Sequence, residues 1–193
     1  MERSVIIAGF GGQGILFAGR VLAEAAVEEG WEVSWIPSYG PEMRGGTASC
    51  TVIVADEPIG SPIVDQASAA IVMNPPSLAK FEPLVAPGGL LVVNSSLVEA
   101  ECRRSDLEQL RLPCTALARS AGDDRLVSVV ALGALIGRLA LVGPDSIRRA
   151  IETAVGADRP EVVAADLAAF EAGLAAAAAG TRAASGTRAA AGT

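Results

Sequence analysis

The chain has 193 residues, 51% of them hydrophobic and 19% charged, with a net charge of −7 and no histidine. That acidic balance argues against unaided nucleic-acid binding, which needs clustered cations to neutralise phosphates. The missing histidine removes Ser–His–Asp and Cys–His catalysis, histidine general bases and imidazole metal ligands.

The first element, Ser4 to Phe10 (SVIIAGF), is a short apolar, β-branched run ending near glycine, the pattern of a buried strand. A helix follows, with Ile15, Ala18, Val21, Leu22 and Ala25 at helical spacing and Gly30 as its stop. Trp31 to Ile36 alternates and predicts a second strand, and Thr47 to Ala55 a third. Ser68 to Asn74 predicts a fourth strand. The run PPSLAKFEPLV then opens a helix with proline in its first turn, and Gly88 to Ser96 predicts another strand.

The second half is more helical. Arg125 to Val142 is apolar nearly all round, so it belongs in the core or against a partner. Gly143 to Val155 is amphipathic and opens with Pro144 and Asp145, and Arg159 to Gly180 predicts a last helix. Residues 179–193, rich in Ala, Gly, Thr and Arg, have no aliphatic larger than alanine to bury and predict a disordered tail. Strands alternating with helices predict one α/β domain over residues 1–178, with a Rossmann-like, open, mostly parallel sheet, flanking helices and a helical C-terminal part.

The mean hydropathy of +0.43 is high for such a chain. A sheet covered on both faces, or a large subunit interface, accounts for it. The nearest approach to a membrane span, Leu126 to Gly143, carries Arg138 inside it, so the expectation is a buried helix and no membrane. With no leader pattern, the expected location is cytoplasmic. Cys50, Cys102 and Cys114 are widely spaced, which predicts no disulfide, zinc or cluster site within this chain.

Four segments carry candidate binding residues. Gly9, Gly11 and Gly14 satisfy GxGxxG between a predicted strand and helix, where a helix N-terminus can hold an anion; Gly12 and Gln13 complete the turn. The rest of the dinucleotide fingerprint fails. The acid expected about 20 residues on, at the end of the second strand, is replaced by Ile36 and Pro37, and Glu28 and Glu29 lie before that strand. Tight packing without a ligand, and a phosphate or subunit contact, both remain open for this loop.

The segment SYGPEMRGGT sets Ser38, Tyr39, Glu42 and Arg44 among Gly40, Gly45 and Gly46, more chemistry than a plain connector needs. Arg44 is a planar cation suited to a carboxylate or phosphate, and Tyr39 an aromatic of the kind enriched at interfaces. A local Glu42–Arg44 surface pair, an interface or active-site wall, and a direct coenzyme A or substrate contact are the three readings. Asn74 and the cluster Asn94, Ser95 and Ser96 also follow predicted strands. All four segments should therefore crowd the carboxyl edge of the sheet, where open α/β sheets bind ligands.

Taken together, GFGGQGILFAGRVLAEAA, PSYGPEMRGGTASCTVIVAD, VMNPPSLAKFEPLVAPGGLLVVNSSLV and VALGAL resemble the gamma subunit of 2-oxoacid:ferredoxin oxidoreductases. The resemblance covers about Val5 to Leu135 and extends more weakly to Phe170. Its loop and NPPSLAKFE runs are most like the 2-oxoglutarate branch (2-oxoglutarate synthase).

The resemblance implies an oxidoreductase complex, with this chain inactive alone. Thiamine diphosphate, Mg2+, an iron–sulfur cluster and coenzyme A would serve the complex, and none would be resident here. Its partners would be alpha, beta and possibly delta subunits in a hetero-oligomer, with ferredoxin reached through the complex. The chain departs from the family's usual asparagines at Ser128 and Asp166, which puts any role of those positions in doubt. The alternatives are an independent nucleotide- or coenzyme A-binding Rossmann-like module, or a standalone NAD(P) reductase.

Overall fold

The computed structural model describes residues 1–39 and 47–189, with backbone alone at Tyr39 and from Gly180 onward. Six strands form one sheet: β1 (Glu2–Phe10), β2 (Glu32–Tyr39), β3 (Thr47–Ala55), β4 (Ala67–Val72), β5 (Val85–Asn94) and β6 (Glu108–Leu112). The helices are α1 (Ile15–Glu28), α2 (Pro75–Phe81), α3 (Cys114–Ser120), α4 (Val127–Leu139), α5 (Pro144–Val155) and α6 (Pro160–Ala189). The helical backbone of α6 thus continues through much of the alanine-rich segment read as a tail.

The strand order is β2-β3-β1-β4-β5-β6. β1, β4, β5 and β6 run parallel, whereas β3 lies antiparallel to both β1 and β2. The expected α/β architecture is present, but β3 is inserted where a dinucleotide fold places β2. β2 is pushed to the edge and extends through Pro37 to Tyr39, further than the sequence predicts. An edge position explains the tolerated proline, since its missing N–H deprives no further strand of a ladder bond. Ser38 and Tyr39 are therefore strand residues, paired with Ser49 and Ala48, not loop residues.

Strand alternation splits the core into two layers. Val5, Ile7, Val52, Val54, Ile71 and Val92 face α1 and the C-terminal helices. Ile6, Ala8, Val72, Leu91 and Val93 face α2, through Leu78 and Phe81, and the segment near Val98 and Leu107. Helix α4 is buried from Val127 to Ile136, which accounts for its all-round apolar sequence. It packs along α6, where an added Cβ at Gly133 would stand 2.2 Å from the Phe170 carbonyl oxygen and one at Gly173 2.0 Å from that of Val130. Among the described residues, the Pro160–Ala179 part of α6 is long and apolar enough to cross a membrane; in this fold it lies along α4.

A buried carboxylate ties the loop before β6 to the 3₁₀ turn after α2. Glu82 is only 7% exposed, and its Oε1 accepts from the N–H groups of Arg103 (2.6 Å) and Arg104 (2.9 Å) and from Cys102 Sγ (3.2 Å). Arg104 returns along the same path, donating to the carbonyls of Glu82 and Val85. Glu82→Ala removes the acceptor of two N–H groups and should lower stability by about 1–3 kcal/mol. Urea unfolding checks this, and faster hydrogen exchange at Arg103 and Arg104 should accompany the loss.

Candidate functional site

The pairing register brings the candidate segments to one edge. Phe10 lies opposite Thr47 and Tyr39 opposite Ala48, so β1 and the β2–β3 hairpin end together. Val72 lies opposite Val93, and Asn94 opposite Leu112. The glycine turn, both ends of the 40–46 connection, Asn74 and Asn94 therefore share the carboxyl edge, as expected from their following strands. Glu42, Arg44, Gly45 and Gly46 lie outside the described residues.

Within the glycine turn, Gln13 folds back on the end of β1. Its Oε1 accepts from Phe10 N–H at 2.7 Å, while its own N–H donates to the Phe10 carbonyl at 3.2 Å. This explains Gly9, where a Cβ would lie 2.5 Å from Gln13 Oε1 and 2.9 Å from Met73 Cβ. Gly12 and Gly14 hold positive φ angles of 91° and 73°, conformations that other residues adopt at a cost. Gly14 caps α1, and Gly11 and Gly12 are exposed beside it. The turn thus presents the positive end of a 14-residue helix to the outside. Glu28 and Glu29, at the far end of α1, serve α5 instead: Glu28 pairs with Arg149, and Glu29 accepts from Gly143 N–H at 2.6 Å.

Asn74 and Asn94 are fully buried. Asn74 Oδ1 accepts from Ser77 N–H at 2.8 Å and caps α2, although Asn74 Nδ2 and Ser77 Oγ have no partner. Asn94 Nδ2 donates to Thr115 Oγ1 at 3.0 Å, and its Oδ1 accepts from Ser96 N–H at 3.3 Å. Both amides hold the turns that leave the strands. Ser95 is half-buried, and its N–H donates to the Leu112 carbonyl at 2.8 Å.

Beside the glycine turn lies a cleft of about 310 Å3, which the sequence reading did not assemble. Gly12, Gly14, Arg125, Arg159, Ser128 and Asp166 are among its lining. Phe17, Leu126, Val129, Val155 and Val162 make its apolar walls. Ser128 at the start of α4 is fully buried and its Oγ has no hydrogen-bond partner. A side chain at Gly14 would come within 2.6 Å of that oxygen. The signal available in the sequence was the pair of departures at Ser128 and Asp166, which meet in this one cleft.

Asp166 is 3% exposed, and burial, followed by the nearby charge of Asp123, pushes its carboxyl up to about 6. Asp123 itself is held down to about 2 by Arg125, whose Nε stands 2.9 Å from Asp123 Oδ2. An acid whose pKa is higher folded than unfolded contributes stability fully at low pH, and that contribution is lost as pH rises towards about 6. Asp166→Asn should therefore stabilise the chain by about 1–2 kcal/mol at pH 7.5. The gain should shrink to nothing near pH 4, as thermal melts across that range will show.

The three cysteines are free. Burial pushes the Cys50 thiol up to about 11 and that of Cys114 to about 12, so neither carries a thiolate at neutral pH. Among the described residues no three His, Cys, Asp or Glu side chains gather into a metal site.

These features define a class: an α/β chain with an elaborated carboxyl edge and, among the described residues, no assembled catalytic constellation. The chain belongs to the pyruvate ferredoxin/flavodoxin oxidoreductase family, whose model matches residues 4–176. It is 40% identical over 174 residues to the ketoisovalerate oxidoreductase subunit VorA of Methanothermobacter thermautotrophicus, covering 89% of this chain but 36% of VorA. It is 33% identical over 180 residues to the 2-oxoglutarate synthase subunit KorC of Methanothermobacter marburgensis, covering 90% of this chain and 95% of KorC. The fold matches 2-oxoglutarate:ferredoxin oxidoreductase from Magnetococcus marinus, with 2-oxoglutarate, coenzyme A and succinyl-CoA bound. That match has a TM-score of 0.85 and 25% identity, over 92% of this chain and 31% of that one.

Proposed function

We propose that this chain is the gamma-type subunit of a cytoplasmic 2-oxoacid:ferredoxin oxidoreductase, which converts a 2-oxoacid and coenzyme A to an acyl-CoA, carbon dioxide and reduced ferredoxin. In this reading it completes the assembly and the walls of the active site, while alpha, beta and delta-type chains hold thiamine diphosphate, Mg2+ and the iron–sulfur cluster. The observation that carries the reading is the convergence of the glycine turn, both ends of the 40–46 connection, and the Asn74 and Asn94 turns on one sheet edge. An edge of that kind meets a partner or a ligand more readily than it performs chemistry, since no described residues there form a nucleophile–base pair.

A dinucleotide reductase fits less well. The strand that would present the ribose-binding acid lies at the sheet edge, separated from β1 by β3. An independent nucleotide- or coenzyme A-binding module remains the competing class. It would bind its ligand without partner chains, whereas the proposed subunit acts through them.

We take 2-oxoglutarate as the substrate, supported by the match to nearly the whole of a KorC chain. Ketoisovalerate is favoured by the higher identity to VorA, so the two readings need one decisive assay. The complex purified with its native catalytic chains should reduce ferredoxin with 2-oxoglutarate and coenzyme A at a higher kcat/KM than with ketoisovalerate. The reverse preference would transfer the assignment to ketoisovalerate.

A further inference from the structure

The cleft beside the glycine turn joins three kinds of surface. Asp166 is nine-tenths buried, and no hydrogen bond from a described residue reaches its carboxylate; only burial and the charge of Asp123 perturb it. Ser128 Oγ, on the neighbouring helix, is also without a partner but is closed off from solvent. Buried polar groups of this kind are normally paired, and a desolvated carboxylate most of all. This part of the cleft therefore calls for a hydrogen-bond donor, and a compact ammonium supplies three along with the compensating charge.

The same cleft also offers groups that favour the opposite sign. Gly12 and Gly14 carry the N-terminal turn of α1, whose open N–H groups and helix dipole favour an anion. Arg125 and Arg159 stand on the same cleft. Arg125 is engaged by Asp123, and Arg159 donates to the Val155 carbonyl, so each guanidinium keeps further donors. Phe17, Val155 and Val162 add apolar lining.

We infer that this cleft binds an aliphatic 2-amino acid, its ammonium directed to Asp166 and its carboxylate to the α1 N-terminus and the arginines. A volume of about 310 Å3 admits a molecule of that size together with water. A nucleotide also carries donors and an anion, but its phosphate brings two negative charges towards a cleft that already holds a carboxylate. A lone inorganic anion would leave Asp166 unpaired. A 2-amino acid is the aminated counterpart of a 2-oxoacid. Sensing of that counterpart by the subunit rests on the function proposed above, whereas the binding itself does not.

The test is calorimetric titration of the purified full chain at pH 7.5 with L-valine and L-leucine. Isobutylamine lacks the carboxylate and 3-methylbutanoate lacks the ammonium, so both serve as controls. At least one amino acid should bind saturably, and each control should bind roughly tenfold more weakly or worse, because a charge-assisted contact contributes about 1.5–3 kcal/mol. Asp166→Asn should weaken the amino acid by a similar factor while its melting temperature at that pH stays at or above that of the parent chain, so misfolding will not imitate the result. The inference is overturned if neither amino acid binds, if 3-methylbutanoate binds as well as the amino acid, or if Asp166→Asn leaves affinity unchanged. Binding of adenosine monophosphate in place of the amino acids would equally overturn it.

Discussion

Replacing Gly133 with alanine is expected to destabilise the isolated chain by about 3–4 kcal/mol, more than a typical overpacking substitution. The reason is what the new methyl would meet. It would lie 2.2 Å from the Phe170 carbonyl oxygen and 3.1 Å from Leu174 N, both backbone atoms of α6. No rotamer change relieves such a contact, so α4 and α6 must separate. Gly173 makes the reciprocal approach to α4, which means the helices touch backbone to backbone at two points. Separation would loosen Phe170, one of the largest fully buried side chains. For a chain of this size the expected fall in melting temperature is about 6–15 °C. Gly60 gives the matching control, because a methyl there meets nothing within 4 Å. Equal melting points for Gly133→Ala and the parent would show that the two helices are not packed this closely.

Arg44→Ala is expected to behave in the opposite way, leaving the chain stable and damaging the assembled enzyme. Arg44 belongs to the connection between β2 and β3, whose flanking pair Tyr39 and Ala48 sits on the carboxyl edge. If its partner were only Glu42 at the surface, the pair would contribute about 0–1 kcal/mol to folding and nothing to assembly. If the connection is instead an interface or active-site wall, Arg44 meets a carboxylate or phosphate in a water-poor seam of the complex. Truncation then strands that charge, at a cost of about 2–5 kcal/mol. Melting of the isolated variant, followed by its affinity for the partner chains and the KM for coenzyme A, separates the cases. A normal melt with weakened assembly or a raised KM is the expected result, and unchanged assembly and kinetics would return Arg44 to a surface pair.

Much of the fold was legible because burial writes itself into sequence. β1, β3, β4 and β5 are apolar runs, and the near-uniform apolarity of α4 announced a helix enclosed by the core. β6 was not legible, since EQLRL is five residues of mixed polarity at a sheet edge. The insertion of β3 between β1 and β2 was hidden for a different reason. Alternation fixes which face a residue takes, but not which strand lies beside which.

The candidate site divides along the same line. Motif and strand-end position led to the glycine turn, and the register confirms its place on the carboxyl edge. The helix start after β4 was legible from its two prolines, and Asn74 caps that helix. The cleft was out of reach because its residues come from α1, the turn before α4, the end of α5 and the start of α6. Only packing brings Gly14, Ser128 and Asp166 together.

The central claim is that this chain works as one subunit among catalytic chains. The most direct measurement is purification of the tagged full-length chain from its native host, with the co-purifying proteins identified and assayed for thiamine diphosphate, iron and sulfide. The account predicts recovery of a stoichiometric complex whose other chains carry the thiamine cofactor and the clusters, and which reduces ferredoxin with a 2-oxoacid and coenzyme A. Recovery of the chain alone, binding a nucleotide or coenzyme A with no such partners, would contradict it.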